Sequence, residues 1–308
     1  MSSADASTPT ITTIVATRDR PELLRETLAA IENQDYAGEI ETVVVFDQTD
    51  PDIDLEVHDG DRRVRVLKND RRPGLQGARN TGLTSSDGEL VAFCDDDDVW
   101  EPSKIRRQVD VLNAHGDVHF VGSGVTVAYE GERVERIRTE SRVTFADLLR
   151  SRVFEAHPST FLMRRAELID LIGLVDEDVP GGYGEDYEWL LRATRVTDML
   201  LVPEALVMVR WHTASFYAER WQMRIDGLQY LLDAYPEFDT DPVGRARITG
   251  QMAFAAASLG DRRQALRRIA STIRNNPREG RSFLALLVVL GVPSSRIVSL
   301  LQKRGSSI

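Results

Sequence analysis

Four short apolar runs open the chain, and the spacing between them leaves few folds available. ITTIVA (11–16), ETVVVF (41–46), RVRVLK (63–68) and LVAFC (90–94) have the length and, in the first three, the β-branched content of buried strands. Segments of a different period separate them. RPELLRETLAAIENQ carries Leu24, Leu28 and Ile31 at helical spacing, with Pro21 suited to a first turn, and GLQGARNTGLTSSDG reads as a glycine-rich turn with a short helix. After the fourth run Pro102 opens another helix, with Ile105, Val109 and Leu112 on one face. Strands spaced by helices need crossover connections. The expected class is therefore α/β: a mixed, mostly parallel sheet covered by helices.

From about 117 to 211 the pattern is mixed. VHFVGSGVTVAY and STFLMRR read as strands, TFADLLRS and EDYEWLLRAT as helices, and MLLVPEALVMVRWH as two short strands broken at Pro203. This stretch extends the sheet and adds a substrate-binding half. From about 216 the periodicity is almost entirely helical, punctuated by Pro236, Pro242, Pro277 and Pro293. MAFAAASLGDRRQALRRIASTIRNNP resembles one tetratricopeptide-type hairpin, and with no second copy no repeat array is expected. The expected organisation is a disordered tail at 1–10, an α/β domain at 11–215 and a helical region at 216–308.

The 308 residues carry a formal charge of −11, which argues against nucleic acid as the main partner. Cys94 is the only cysteine, so neither a disulfide framework nor a cysteine-based zinc site is available, and a reducing, cytoplasmic compartment is expected. MSSADASTPT has neither the basic nor the apolar region of a signal peptide. The charge is uneven. Residues 261–308 hold 10 Lys+Arg against 2 Asp+Glu, a balance of +8, which leaves −19 for residues 1–260. FLALLVVLGV (283–292) is too short to span a bilayer. It reads either as a core helix of a bundle or as part of a peripheral contact, through 281–304, with the inner face of a membrane. In the second case Arg281, Arg296, Lys303 and Arg304 would lie near anionic headgroups.

The run GELVAFCDDDDVW (88–100) poses a sharper question, because four consecutive carboxylates repel one another. Asp95 to Asp98 follow an apolar strand, and in open α/β sheets ligands sit outside the carboxyl ends of strands. One reading is a divalent ion, Mg²⁺ or Mn²⁺, held by oxygen ligands together with a substrate phosphate. The other is a solvated acidic loop with one aspartate capping the next helix.

Further elements weigh on that choice. VATRDRPELL, VVVFDQTDPD, RRPGLQGARNTGL, LVAFCDDDDVWEPSKI and GYGEDYEWLLR stand in this order, and together they closely resemble the family-2 glycosyltransferases of GT-A fold over residues 11 to about 215. The resemblance implies transfer of a sugar from a nucleotide-diphosphate donor to a saccharide or lipid-linked acceptor. It matches the family's DxD motif to Asp95, Asp96 and Asp97, with Asp95 near the donor ribose or metal and Asp97 as a metal ligand. It places Asp47 on the nucleotide base and Thr17 and Arg18 along the base pocket, where a guanidinium replaces the aromatic of many relatives. Arg79 and Asn80 match an ARN element beside the donor, where a planar guanidinium suits a diphosphate. Asp186, beside Glu185, becomes the base of an inverting single displacement. His212, in RWHTAS, matches a histidine that completes the metal site in some relatives, the other reading being a hydrogen-bonded structural histidine.

The chemistry fits these assignments. A metal stabilises the leaving diphosphate, a general base takes the acceptor proton, and water must be excluded. Glycines 181, 182 and 184 permit a mobile loop before Glu185 and Asp186, which also suit a helix N-terminus by charge alone. His157 and Ser159 lie where relatives contact donor or acceptor, or else form a turn. Trp100 and Trp189 stack on sugars or fill the core. Two rival functions are a sugar-phosphate nucleotidyltransferase of related fold, disfavoured because VATRDRPELL lacks a glycine-rich phosphate loop, and a non-catalytic nucleotide- or carbohydrate-binding module.

Overall fold

The structure is a computed structural model describing residues 8–211 and 220–302. Most of the expected tail, and His212, lie outside the described residues. Two compact units emerge. The first joins Met1–Thr144, Phe154–Glu177 and Arg192–Trp211; the second joins Phe145–Val153, Asp178–Leu191 and His212–Ile308.

The strands are β1 (Ile11–Thr17), β2 (Ile40–Phe46), β3 (Arg62–Lys68), β4 (Leu90–Asp95), β5 (Val99–Trp100), β6 (Phe120–Tyr129), β7 (Glu132–Arg136), β8 (Arg142–Val143), β9 (Leu162–Arg164) and β10 (Met199–Arg210). The helices are α1 (Pro21–Glu32), α2 (Leu75–Thr84), α3 (Lys104–Ala114), α4 (Phe145–Arg150), the one-turn α5 (Arg165–Glu167), α6 (Glu185–Val196), α7 (Trp221–Ala234), α8 (Pro242–Ser258), α9 (Arg262–Asn275), α10 (Gly280–Val289) and α11 (Ser294–Gln302).

All ten strands belong to the first unit and form one sheet, ordered β3-β2-β1-β4-β9-β6-β10-β5, with β7 on β6 and β8 on β10. The pairs β3–β2, β2–β1, β1–β4 and β6–β10 are parallel; β9 joins β4 to β6 antiparallel to both. The alternation along β2 shows why both faces are covered. Val44 belongs to the same buried cluster as Leu24 and Ile31 of α1 and, farther along the sheet, Ile105, Val109 and Leu112 of α3, while Val43 and Val45 pack with Ala78 of α2. Trp100 and Trp189 are buried, as is Cys94, which places both indoles in the core.

Two local expectations shift. The residues around Pro203 form one strand, not two. Between Val202 and Ala205 the pairing with β6 skips, leaving Pro203 and Glu204 in a bulge where no ladder donor is needed. The helix after Pro102 begins at Lys104 instead.

The second unit is helical. α8 is its central element, and Ala253 and Phe254 pack with Ile269 of α9, Ala285 of α10 and Ile297 of α11. Aspartates start two of these helices. Asp241 accepts from the Gly244 amide at 2.8 Å and Asp261 from the Gln264 amide at 2.9 Å. Among the described residues no helix is long and apolar enough to cross a membrane.

Candidate active site

The four aspartates form a tight turn. The Asp98 amide donates to the Asp95 carbonyl at 3.2 Å, so the chain reverses between β4 and β5 and gathers four carboxylates at the carboxyl end of β4. Each carboxylate then has its own partner. Arg79 Nη2 donates to Asp95 Oδ1 at 2.7 Å, with its guanidinium carbon 5.6 Å from the Phe93 ring centre. Thr17 Oγ1 donates to Asp96 Oδ2 at 2.7 Å. Arg20 Nη1 bridges Asp97 Oδ2 at 2.7 Å and Asp96 Oδ1 at 3.2 Å. Ser159 Oγ donates to Asp98 Oδ2 at 2.5 Å while accepting the Asp95 amide at 3.0 Å, so one hydroxyl ties the ends of the turn together.

The turn is electrostatically costly despite these partners. Burial pushes the Asp96 carboxyl up to about 6, outweighing Thr17 and Arg20. Burial, and then the charges of Asp95 and Asp97, hold Asp98 well above the usual carboxylate range. Asp95, Asp98 and His157 each bring one ligand atom into a group spanning at most 4.8 Å. A donor set of two carboxylates and an imidazole, short of positive charge, fits Mg²⁺ or Mn²⁺.

Behind the turn lies a buried lysine. Lys104 Nζ donates to Gln108 Oε1 at 2.7 Å and sits 3.9 Å from the ring centre of Trp100, whose indole N–H donates to the Ser159 carbonyl at 2.9 Å. Complete burial lowers its ammonium to about 7.

A second acceptor stands at the end of β2. Asp47 takes hydrogen bonds from Asn69 Nδ2 (2.8 Å), Gln48 Nε2 (2.7 Å) and the Gly74 amide (3.1 Å). Burial acts to raise its carboxyl, but these bonds outweigh burial and hold it below the usual value. The turn preceding α2 passes so close to the first turn of that helix that Gly77 is needed there, because a Cβ would lie 1.9 Å from the Arg72 carbonyl oxygen. Arg18 is half exposed and 3.7 Å from Asp19. Asn80 is spent inside the fold. Its amide donates to the Val175 carbonyl (2.8 Å) and Glu177 (2.7 Å) and accepts from the Val175 amide (2.8 Å), fastening that segment to α2.

In the second unit Gly181, Gly182 and Gly184 all have positive φ and lead into α6. Asp186 pairs with Arg152, and its other oxygen accepts the Tyr187 amide at 2.7 Å. Glu185 is buried. Arg152 also lies over the Tyr187 ring at 5.6 Å, so the carboxylate is held by a cation that is itself fixed by packing.

Sequence reasoning brought Thr17, Arg79, Asp95, Asp96 and Asp97 to one place and left out two neighbours. Arg20 was the one with a signal: it stands three residues past the first strand, and a carboxylate run needs a cation. Asn69 gave none, because it acts through a long-range contact. His157 and Ser159 were singled out for position alone; His157 Nδ1 lies 3.5 Å from Asp98 Oδ2.

A mostly parallel sheet ending in a carboxylate turn, gripped by two arginines, with a separate acceptor at the end of β2, is the arrangement expected of a glycosyltransferase of GT-A fold. The chain belongs to glycosyl transferase family 2, whose model matches residues 12–171. WfgD of Escherichia coli, a UDP-Glc:alpha-D-GlcNAc-diphosphoundecaprenol beta-1,3-glucosyltransferase, is 23% identical over 142 residues, which is 46% of this chain and 55% of WfgD. S. aureus TarS 1–349 in complex with UDP-GlcNAc superposes with a TM-score of 0.60 at 18% identity, covering 96% of this chain and 92% of that one. The mannosyltransferase PcManGT from Pyrobaculum calidifontis, in complex with GDP-Man and Mn²⁺, gives a TM-score of 0.56 at 21% identity, covering 93% and 88%. The family sets aside the nucleotidyltransferase and binding-module alternatives.

Proposed function

We propose that the chain catalyses metal-dependent, inverting transfer of a sugar from a nucleotide-diphosphate donor to a hydroxyl of a lipid-linked saccharide, in the synthesis of a surface polysaccharide or glycoconjugate. The observation that carries this reading is the Asp95–Asp98 turn, where two carboxyls are raised and a histidine lies within ligand distance. Asp47 accepts a hydrogen bond from the nucleotide base, with Thr17 and Arg18 bordering it. Asp95 and Asp97 would hold the metal by resemblance, with Asp98 and His157 within ligand reach of Asp95; Asp96 stays neutral or paired to keep the turn closed, and His212 would add a ligand by resemblance. A bound Mg²⁺ or Mn²⁺ supplies Lewis-acid stabilisation of the leaving diphosphate. Arg79 and Arg20, bonded to the aspartates, set two guanidinium charges beside the turn, and a planar guanidinium suits the oxygens of a diphosphate.

Asp186 is the base. Its carboxylate takes the acceptor proton as the hydroxyl oxygen attacks the anomeric carbon from the side opposite the departing diphosphate. One bond forms, one breaks, and the configuration inverts. Arg152 orients that carboxylate, with Glu185 beside it. The lipid-linked acceptor is argued from WfgD, whose named acceptor carries a diphosphoundecaprenol.

The test is a panel of nucleotide sugars with Mn²⁺ and a diphosphoprenol-linked acceptor. At least one donor should release nucleoside diphosphate only when acceptor is present. Release from none of them contradicts the proposal, and a product that retains the donor's anomeric configuration overturns the role of Asp186.

A further inference from the structure

The last three helices turn a mixed apolar and basic face to solvent. On α10, Phe283, Leu286, Leu287 and Leu290 are exposed, at the i, i+3, i+4, i+7 spacing of one helix face, while Ser282 and Ala285 on the opposite side are buried. Leu290 is 74% exposed and Phe283 55%, high for large side chains in a packed bundle. On α9 the exposed stripe alternates in kind: Arg263, Leu266, Arg267, Ile273 and Arg274. α10 and α9 pack on one another and on α8, and Leu300 of α11 adds a further exposed apolar side chain. The only two carboxylates of this segment are engaged locally. Asp261 caps α9, and Glu279 pairs with Arg281 at 2.8 Å. The arginines of the α9 stripe are therefore not neutralised by their own segment.

We propose that this α9–α10 face docks in the plane of an anionic lipid surface, leucines and Phe283 entering the headgroup boundary and the arginines meeting lipid phosphates. Charge complementarity singles out that occupant. Residues 261–308 carry +8 in a chain whose remainder carries −19, so the basic end is attracted to an anionic bilayer that repels the rest. Guanidiniums beside exposed leucine and isoleucine on one helix face make an amphipathic surface suited to a lipid boundary. Among the described residues no helix is long and apolar enough to cross a bilayer, and the proposed contact lies in the plane of the surface. The proposal rests on the lipid-linked acceptor read above, since docking brings the enzyme to a substrate confined to the membrane.

Sedimentation of the full chain with vesicles tests it. Vesicles containing phosphatidylglycerol should bind the protein, vesicles of phosphatidylcholine alone should not, and binding should weaken steeply as salt rises. Each arginine near an anionic surface is worth about fivefold in affinity, so Arg263→Ala with Arg267→Ala should weaken binding roughly 25-fold. Phe283→Glu with Leu290→Glu should abolish it. Both double variants should keep the wild-type circular dichroism melt and full transfer to a water-soluble acceptor, which separates this proposal from the transferase reading. No vesicle binding at low salt overturns it, and so does wild-type binding by the variants. A dimer in light scattering that Leu290→Glu dissociates, without vesicle binding, assigns the face to a second copy instead.

Discussion

At the carboxyl ends of the strands the first unit buries its charge: Asp96, Asp98, Arg79 and Lys104 are each at most 7% exposed. In the last helices of the second unit the charge is left in water, with Arg262, Arg263, Arg267 and Arg274 exposed beside Leu266 and Ile273. Burying an ionisable group costs free energy unless partners offset it, and in the first unit the offset is incomplete, since Asp96, Asp98 and Lys104 are all shifted toward their neutral forms. The stored imbalance is what a cation or a charged substrate can relieve. The exposed arginines carry no such penalty, and their contribution to binding is long-range and sensitive to salt. The two regions therefore predict opposite responses to mutation: large, specific losses where charge is buried, small and additive ones where it is exposed.

The largest effect should come from Asp186→Asn. Asparagine keeps the size and still accepts a hydrogen bond, yet cannot take a proton, so turnover should fall by roughly 10²–10⁴-fold with donor binding nearly unchanged. Full activity in Asp186→Asn, with loss in Glu185→Gln, would move the base by one residue.

Next comes the buried lysine. The unfolded chain protonates Lys104 near pH 10.5, the folded protein only near 7. As pH falls from 10.5 to 7 the unfolded state binds the extra proton first, so this group lowers stability by at most about 1.4 kcal/mol per pH unit over that window. Lys104→Met should remove that slope in denaturant titrations run at a series of pH values. An unchanged slope would mean that the lysine is not buried as described.

Ser159→Ala should cost about 1–3 kcal/mol, because it leaves the Asp95 amide and the Asp98 carboxyl without their shared partner. It should also weaken metal-dependent donor binding. Asp261→Ala removes the cap of α9 and should cost about 1 kcal/mol with donor affinity intact. A loss of donor affinity in Asp261→Ala would break the distinction between the two regions.

The sheet was legible because its signals are local. The valine-rich runs, the glycine turn before α2 and the change of period each sit within a few residues of the structure they specify. Pro203 misled for a physical reason: proline stops a strand at a hydrogen-bonded position, and here it falls in a bulge. The aspartate run could be located from its place after a strand, but not its internal wiring. Ser159 reaches it because β9 runs antiparallel beside β4, a pairing between distant segments that composition does not announce. Arg20 reaches it because the chain after β1 passes Asp19 at φ 55°, a left-handed turn. Asn80 shows the converse. With its neighbours it matches the family's ARN element, while its amide is committed to Val175 and Glu177 far along the chain.

The central claim is that the carboxylate turn binds a nucleotide diphosphate through a divalent cation, and calorimetry tests it most directly. Uridine and guanosine diphosphate are titrated into the protein with Mn²⁺ and again with EDTA, for the wild type and for Asp97→Asn. The account predicts measurable affinity for one diphosphate with Mn²⁺, its loss in EDTA, and a weaker, less metal-dependent affinity in Asp97→Asn. Equal affinity with Mn²⁺ and with EDTA would contradict it.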